Sequence, residues 1–281
     1  MSCRHRLLAT LTCAALALIA SARTVGAQTA GTPPGVLYWP AADSFKAGSL
    51  LVDRMGSNNY NVYAVRRDGP GRPELHERDM DIVFVLDGAA TFFTGGTVKD
   101  ERVSGPGEKT GTAIDGGSPH RLSKGDVIVV PNGVPHWFGE VSPSIRYYAV
   151  KVRQDTATPS SPSEVRFWKA ADAFATRGVL FDAKGRFART YALSRSMPLN
   201  VELHQLDTDL VFVIGGAGTF VTNGTIVEPR PLAANEGTGS SIADGTPRAL
   251  AAGAVLVVPA GTPHWLRNID GAIEFFAVKV R

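Results

Sequence analysis

The feature that most constrains this chain is that it contains one segment twice. Displacing the sequence by 128 residues lays Tyr63–Arg153 on Tyr191–Arg281 without a gap, and 42 of the 91 positions are identical. A repeat of this length indicates one domain used twice rather than a solenoid of short units. Upstream, Tyr38–Phe45 resembles Phe167–Phe174 one residue out of phase, so the copies begin near Val36 and Val165. The expected organisation is a domain over 36–153, a linker over 154–164 carrying the Ser/Pro-rich stretch Asp155–Ser163, and a second domain over 165–281. Each copy is small enough for a single core.

Within a copy the apolar runs are short, β-branched and punctuated by turn residues. Asp81–Leu86 ends at Asp87-Gly88, Ala90–Thr94 at Gly95-Gly96, and Val127–Val130 at Pro131-Asn132-Gly133, while Ile145–Val152 closes the copy. Thirty glycines and 18 prolines supply such turns throughout. The pattern predicts an all-β chain of antiparallel sandwiches or barrels. Helix is expected only as about one turn at Pro40–Phe45 and at Lys169–Phe174.

The first residues read as an export signal. Arg4, His5 and Arg6 precede an apolar run from Leu7 to Ala20, and Val25-Gly26-Ala27 offers small residues before a cut that would leave Gln28 first. The run is short for a bilayer span. A signal peptide over 1–27 and a secreted or periplasmic location are therefore expected, with no membrane attachment after cleavage. Cleavage would remove Arg4, Arg6 and Arg23 and no acid, taking 29 basic residues to 26 against 26 acidic ones. A neutral chain without a basic run is a poor partner for nucleic acid. Cys3 and Cys13 leave with the signal, so disulfides, thiolate metal sites and cysteine nucleophiles are excluded from the mature chain.

Histidine carries the chemistry. Outside the signal there are five, and four are repeat partners: His76 with His204, and His136 with His264. Glu74 and His76 stand two apart, on one face of a strand, as do Glu202 and His204. Asp81 and Asp209 follow at an odd spacing that a turn at Glu77–Met80 would correct. His136 and His264 follow the rigid turns Pro131–Pro135 and Pro259–Pro263, which would aim each imidazole at a fixed point.

These spacings resemble the two sequence motifs of the cupins. The second motif is a glycine, five residues, Pro-x-Gly, two residues, His, three residues, Asn; it is met in full by Gly253, Pro259, Gly261, His264 and Asn268. Gly125, Pro131, Gly133 and His136 match it in the first copy, with Glu140 in the last place. The first motif is altered: Glu74 and Glu202 stand where its first histidine is expected, and Asp81 and Asp209 where its glutamate is. Its opening glycine position holds Asp68 and Ser196.

The resemblance implies an exported bicupin, two tandem double-stranded β-helix barrels. It also implies a divalent metal in each barrel, with Glu74, His76, Asp81 and His136 as candidate ligands in one and Glu202, His204, Asp209 and His264 in the other. Two imidazoles with up to two carboxylates suit Zn, Mn, Fe, Ni or Co, and the formal charge of the carboxylates would neutralise a 2+ ion. The shorter Asp81 and Asp209 are alternatively acceptors behind a histidine.

Other residues have plainer expectations. Trp137 and Trp265, facing away from the histidines they follow, are read as core or subunit contacts, which leaves a homo-oligomer open. Tyr147 and Tyr148, matched by Phe275 and Phe276, are read as packing positions, His120 as a solvated loop residue, and Asp79 and Asp207 as turn caps. Differences near the expected pockets (Phe138 against Leu266, Glu140 against Asn268, Arg66 against Ser194, Arg146 against Glu274) suggest unequal preferences for small-molecule ligands. Three functions fit: a metal-dependent lyase, isomerase or dioxygenase acting on a small polar or organic-acid substrate, a non-catalytic binding protein, and a storage-like bicupin. The third has no need of the repeated Glu-x-His and His set. Loss of turnover, as against loss of binding alone, in Glu74→Ala and His136→Ala separates the first two.

Overall fold

A computed structural model describes residues 35–46, 50–53, 59–154, 164–176, 178–183 and 188–281. The expected export signal, and all but the ends of the expected linker, lie outside the described residues. The described chain is nearly all strand, as expected. Its one α-helix among the described residues is Ala170–Ala175, and residues 41–46 form the matching turn in the first copy. No described helix is long and apolar enough to cross a membrane.

Each copy is built on two long antiparallel strands: Asp79–Thr94 with His136–Arg153, and Thr208–Thr222 with His264–Val280. The sequence suggested shorter strands broken at Asp87-Gly88 and before Ile145. The chain instead bends there without ending the strand, through shifts of register between Val141 and Ile145 and between Arg146 and Tyr147. Gly88 and Gly216 permit the bend. Both have positive φ (79° and 73°), and a Cβ on either would run into the carbonyl of Ser144 or Ala272 across the pair.

Alternation along these strands explains their unbroken apolar character, because both faces are buried. Ile82, Phe84, Tyr148 and Val150 point to a core shared with Leu210, Phe212, Phe276 and Val278 of the other copy. The phenyl rings of Phe84 and Phe276 stack there at 4.6 Å, and the Tyr148 hydroxyl donates to the Gly253 carbonyl at 2.9 Å. Residues of the opposite parity, Val83, Val85, Tyr147 and Ala149, face a separate interior core with Phe92, Ile128 and Phe138. Val211, Val213, Phe275 and Ala277 do the same in the second copy. Each copy thus has its own core, and a third joins them. Asp81, Lys151, Asp209 and Lys279 share the parity of the interior faces.

The joint is reinforced by an exchange. Leu37–Trp39 pairs with Val255–Val258 of the second copy, and Arg166–Trp168 pairs with Val127–Val130 of the first. Each copy's opening strand thus completes the other's sheet. The one-residue phase slip seen in the sequence falls in these exchanged segments: Trp39 faces Val255 and Trp168 faces Val127.

Candidate metal centre

Three strand segments bring the candidate ligands of the first copy together. Glu74 and His76 lie on the short strand Glu74–His76, and pairing of Glu74 with His136 sets the start of His136–Arg153 beside it. Asp81 enters from the long strand, which restarts at Asp79, two residues earlier than the turn in the sequence suggested. Gly125 and Gly133, with φ of 80° and 78°, shape the turns before His136, and Gly253 and Gly261 do so before His264. In the second copy Glu202 bridges to His264 and the other ligands follow the same pattern.

One ligand atom from each of Glu74, His76, Asp81 and His136 lies within 4.8 Å of the other three, and Glu202, His204, Asp209 and His264 do the same. Nε2 of His76 is 3.3 Å from Glu74 Oε2 and 3.6 Å from Asp81 Oδ2. Nε2 of His136 is 3.3 Å from the same Asp81 oxygen and 4.0 Å from Glu74 Oε2. The second copy repeats these separations at 3.3 to 3.5 Å. Ligands at about 2.0–2.1 Å around a tetrahedral ion stand about 3.3 Å apart, so the donors need little movement to hold one. His76, Asp81 and His136 are buried, while Glu74, at 38% side-chain exposure, stands at the mouth.

Both histidines are turned with Nε2 inward by bonds at Nδ1. His136 Nδ1 is 3.0 Å from the Val134 carbonyl and His264 Nδ1 is 3.0 Å from that of Thr262. A carbonyl only accepts, so Nδ1 carries the proton, and the neutral form of each ring offers its lone pair at Nε2. Both of these Nε2 atoms are buried without a hydrogen-bond partner, as is Asp81 Oδ1. His76 and His204 are held instead by the carboxylates of Glu108 and Glu236 at Nδ1. These glutamates are repeat partners that sequence reasoning missed. The signal was present in their 128-residue spacing, but nothing local marks them as neighbours of His76 and His204.

Lys151 and Lys279 were missed as well. Register places Lys151 opposite Asp81 and Lys279 opposite Asp209. Lys151 Nζ is 2.6 Å from Asp81 Oδ2 and 2.5 Å from His76 Nε2. Lys279 Nζ is 2.8 Å from both Asp209 oxygens and 2.6 Å from His204 Nε2. Burial opposes charge on His76, but Asp81, Glu108 and Glu74 outweigh it and draw the imidazole toward about 11. The ammonium at Nε2 makes the opposite demand, since it needs a lone pair there. Contact geometry decides: with Lys151 in place His76 is neutral, and the ammonium answers the carboxylates. Burial also works against the charge of Lys151, and Asp81 and Glu74 more than restore it.

Above each cluster lies a cavity, about 340 Å³ in the first copy and about 230 Å³ in the second. Arg67, Arg72, Trp137 and Tyr147 line the first; Arg195, Asn200, Leu199 and Phe275 line the second. Arg67 donates to the Tyr147 hydroxyl at 2.9 Å, so Tyr147 borders the cavity as well as packing. Trp137 reaches it too, its indole N–H donating to the Gly71 carbonyl.

Several plainer expectations change. His120 lies half-buried on the strand Ser118–Ser123, with its Nε2 2.8 Å from the Thr94 hydroxyl and its ring against Phe167 of the exchanged strand. Asp79 and Asp207 pair with Arg153 and Arg281. Of the four differences singled out in the sequence, Phe138 against Leu266 lines the cavities; Arg66 pairs with Asp68, Arg146 with Asp87, and Glu140 accepts from Thr91.

The family model described as Cupin matches residues 55–173. The likeness to the cupins is thus shown for that segment, the first copy and the exchanged strand that follows it. Solved structures resemble most of the chain. Salicylate 1,2-dioxygenase from Pseudaminobacter salicylatoxidans superposes with a TM-score of 0.57 at 12% identity, over 92% of this chain and 87% of its own. Protein Ylba from E. coli gives 0.54 at 11% identity, over 83% and 81%. A Cupin 2 conserved barrel domain protein from Leptotrichia buccalis gives 0.52 at 10%, over 90% and 92%. At these identities the likeness is one of fold. No curated protein matches this sequence.

Proposed function

We propose that this protein is an exported bicupin, with domains over 36–153 and 165–281, that binds a divalent metal ion in each half and acts as a metal-dependent enzyme on a small organic acid. One observation carries the metal reading: in each half a buried imidazole Nε2 without a partner, His136 or His264, converges with a second imidazole and two carboxylates. Buried polar atoms are ordinarily satisfied, and an ion accepts both lone pairs at once. Glu74, His76, Asp81 and His136 would hold it in the first half, and Glu202, His204, Asp209 and His264 in the second. The bound ion would supply Lewis acidity toward a ligand oxygen.

The organic-acid class rests on the first cavity. Arg67 and Arg72 present guanidinium groups beside the cluster, and guanidinium recognises carboxylate. In the second cavity Arg72 is replaced by Asn200 and Tyr147 by Phe275, so the second half is read as accepting less polar ligands. Export rests on the pattern of residues 1–27.

Elemental analysis of the reconstituted chain tests the metal reading. About two equivalents are expected, falling to about one in His136→Ala or His264→Ala. Zero equivalents in the unaltered chain overturns it. Arg72→Gln is expected to weaken binding of a small carboxylate such as benzoate by about tenfold or more; unchanged binding removes the organic-acid assignment.

A further inference from the structure

Each donor cluster already contains a positive charge. The ammonium of Lys151 takes hydrogen-bond positions on His76 Nε2 and Asp81 Oδ2, and Lys279 does so on His204 Nε2 and Asp209. These are atoms that a metal ion must use, and one lone pair cannot serve an N–H and an ion together. Distance makes the conflict sharper. An ion about 2.1 Å from both His76 Nε2 and Asp81 Oδ2 would lie no more than about 3 Å from the present position of Lys151 Nζ, where like charges repel strongly.

The same lysine stands in both halves, in a run, Ala149–Arg153 and Ala277–Arg281, that is identical in the two copies. In both it lies directly across the strand pair from the aspartate. Lys151 and Lys279 also line the cavities, so a four-carbon stem has open space to move into.

We propose that Lys151 and Lys279 are built-in counter-cations that close the two ligand sets while no metal is bound, and that an entering ion must displace them. The inference rests on the metal reading above. The lysine substitutes for the ion in neutralising the buried carboxylates, holds the ligands near their binding positions, and weakens metal affinity by competing for the same atoms. On displacement its ammonium turns into the cavity, where in the first half it joins Arg67 and Arg72.

Lys151→Met and Lys279→Met in the full chain test this, with zinc(II) alone as probe and affinity read by competition with a chromophoric chelator. Each variant is expected to bind zinc about tenfold or more tightly at its own half. The unaltered half of the same molecule reports that the chain is folded. Melting temperature gives a second readout: it should fall in the metal-free variant and be restored by zinc, so that the zinc-induced rise exceeds that of the unaltered chain. Affinity that is unchanged or weaker in both variants, with the unaltered chain still binding zinc, overturns the lysine proposal and leaves the metal reading standing. Zinc binding by the variants alone supports the lysine proposal and overturns the metal reading for the natural chain. Binding by none of them overturns both.

Discussion

Lys151 and Asp81 face each other across the two long strands of the first half, ammonium to carboxylate at 2.6 Å, and Lys279 and Asp209 repeat the pairing at 2.8 Å. Strand register alone creates this relationship, because the two residues are partners in the same antiparallel ladder. Parity then turns both inward, away from the core that joins the halves.

The first consequence concerns stability. Asp81→Ala removes the carboxylate and leaves a buried ammonium without its main partner, a change that costs about 3–5 kcal/mol in comparable sites. Urea unfolding of the metal-free chain should show a loss of that order for Asp81→Ala and for Asp209→Ala. A loss under about 1 kcal/mol would mean that the lysine finds other compensation.

The second consequence is a window of pH. Burial pushes the Glu74 carboxyl up, but the neighbouring His76 imidazole and the Lys151 ammonium outweigh it and hold the group at about 2 rather than 4.5. Its contribution is complete above pH 4.5 and is lost as pH falls toward 2. Burial pushes His264 down, but Asp209 and Glu202 outweigh it and lift the imidazole from 6.5 to about 9. That contribution is complete below pH 6.5 and is lost as pH rises through 9. The metal-free chain should therefore melt highest between pH 4.5 and 6.5. Zinc should flatten the alkaline limb, since the ion then occupies the His264 lone pair. A melting temperature that stays level across the alkaline range in the metal-free chain would contradict this.

Glu108 touches the cluster only through His76. By accepting from Nδ1 it fixes the ring with Nε2 inward, the role that outer acceptors play around metal-bound histidines. Glu108→Ala should lower zinc affinity at the first half by about 10- to 100-fold while leaving the second half unchanged. Chelator competition resolves the two sites, and equal affinities would show that Glu108 has no positioning role.

Tyr148 ties the halves together through the Gly253 carbonyl. Its repeat partner Phe276 fills the matching position without a hydroxyl, so Tyr148→Phe should preserve packing and cost about 1 kcal/mol for the lost hydrogen bond. Urea unfolding followed at the tryptophans would detect the change, and a neutral outcome would assign the joint to stacking alone.

Much of this was legible in the sequence. The strand pattern follows from local spacing, the duplication from comparing the chain with itself, and the eight candidate ligands from the resemblance to the cupin motifs, in which Glu-x-His and the turn-bound histidines each carry their geometry within a few residues. What escaped depends on partners distant in the chain. Lys151 sits in the run Tyr147–Val152, where one lysine among buried neighbours reads as a surface interruption until register places it opposite Asp81. Glu108 reaches His76 through pairing of Glu108–Thr110 with Glu74–His76. The exchanged strands Leu37–Trp39 and Arg166–Trp168 are three residues long and carry no mark of the copy they pair with. His120 looked solvated because its neighbour Phe167 arrives with that exchange.

Anomalous diffraction from crystals grown with zinc(II), recorded on either side of the zinc absorption edge, tests the central claim most directly. One peak is expected among Glu74, His76, Asp81 and His136, and a second among Glu202, His204, Asp209 and His264, with both lysines turned out of the clusters. Saturating zinc without a peak at either place, and with Lys151 and Lys279 still bound to their aspartates, would contradict the account.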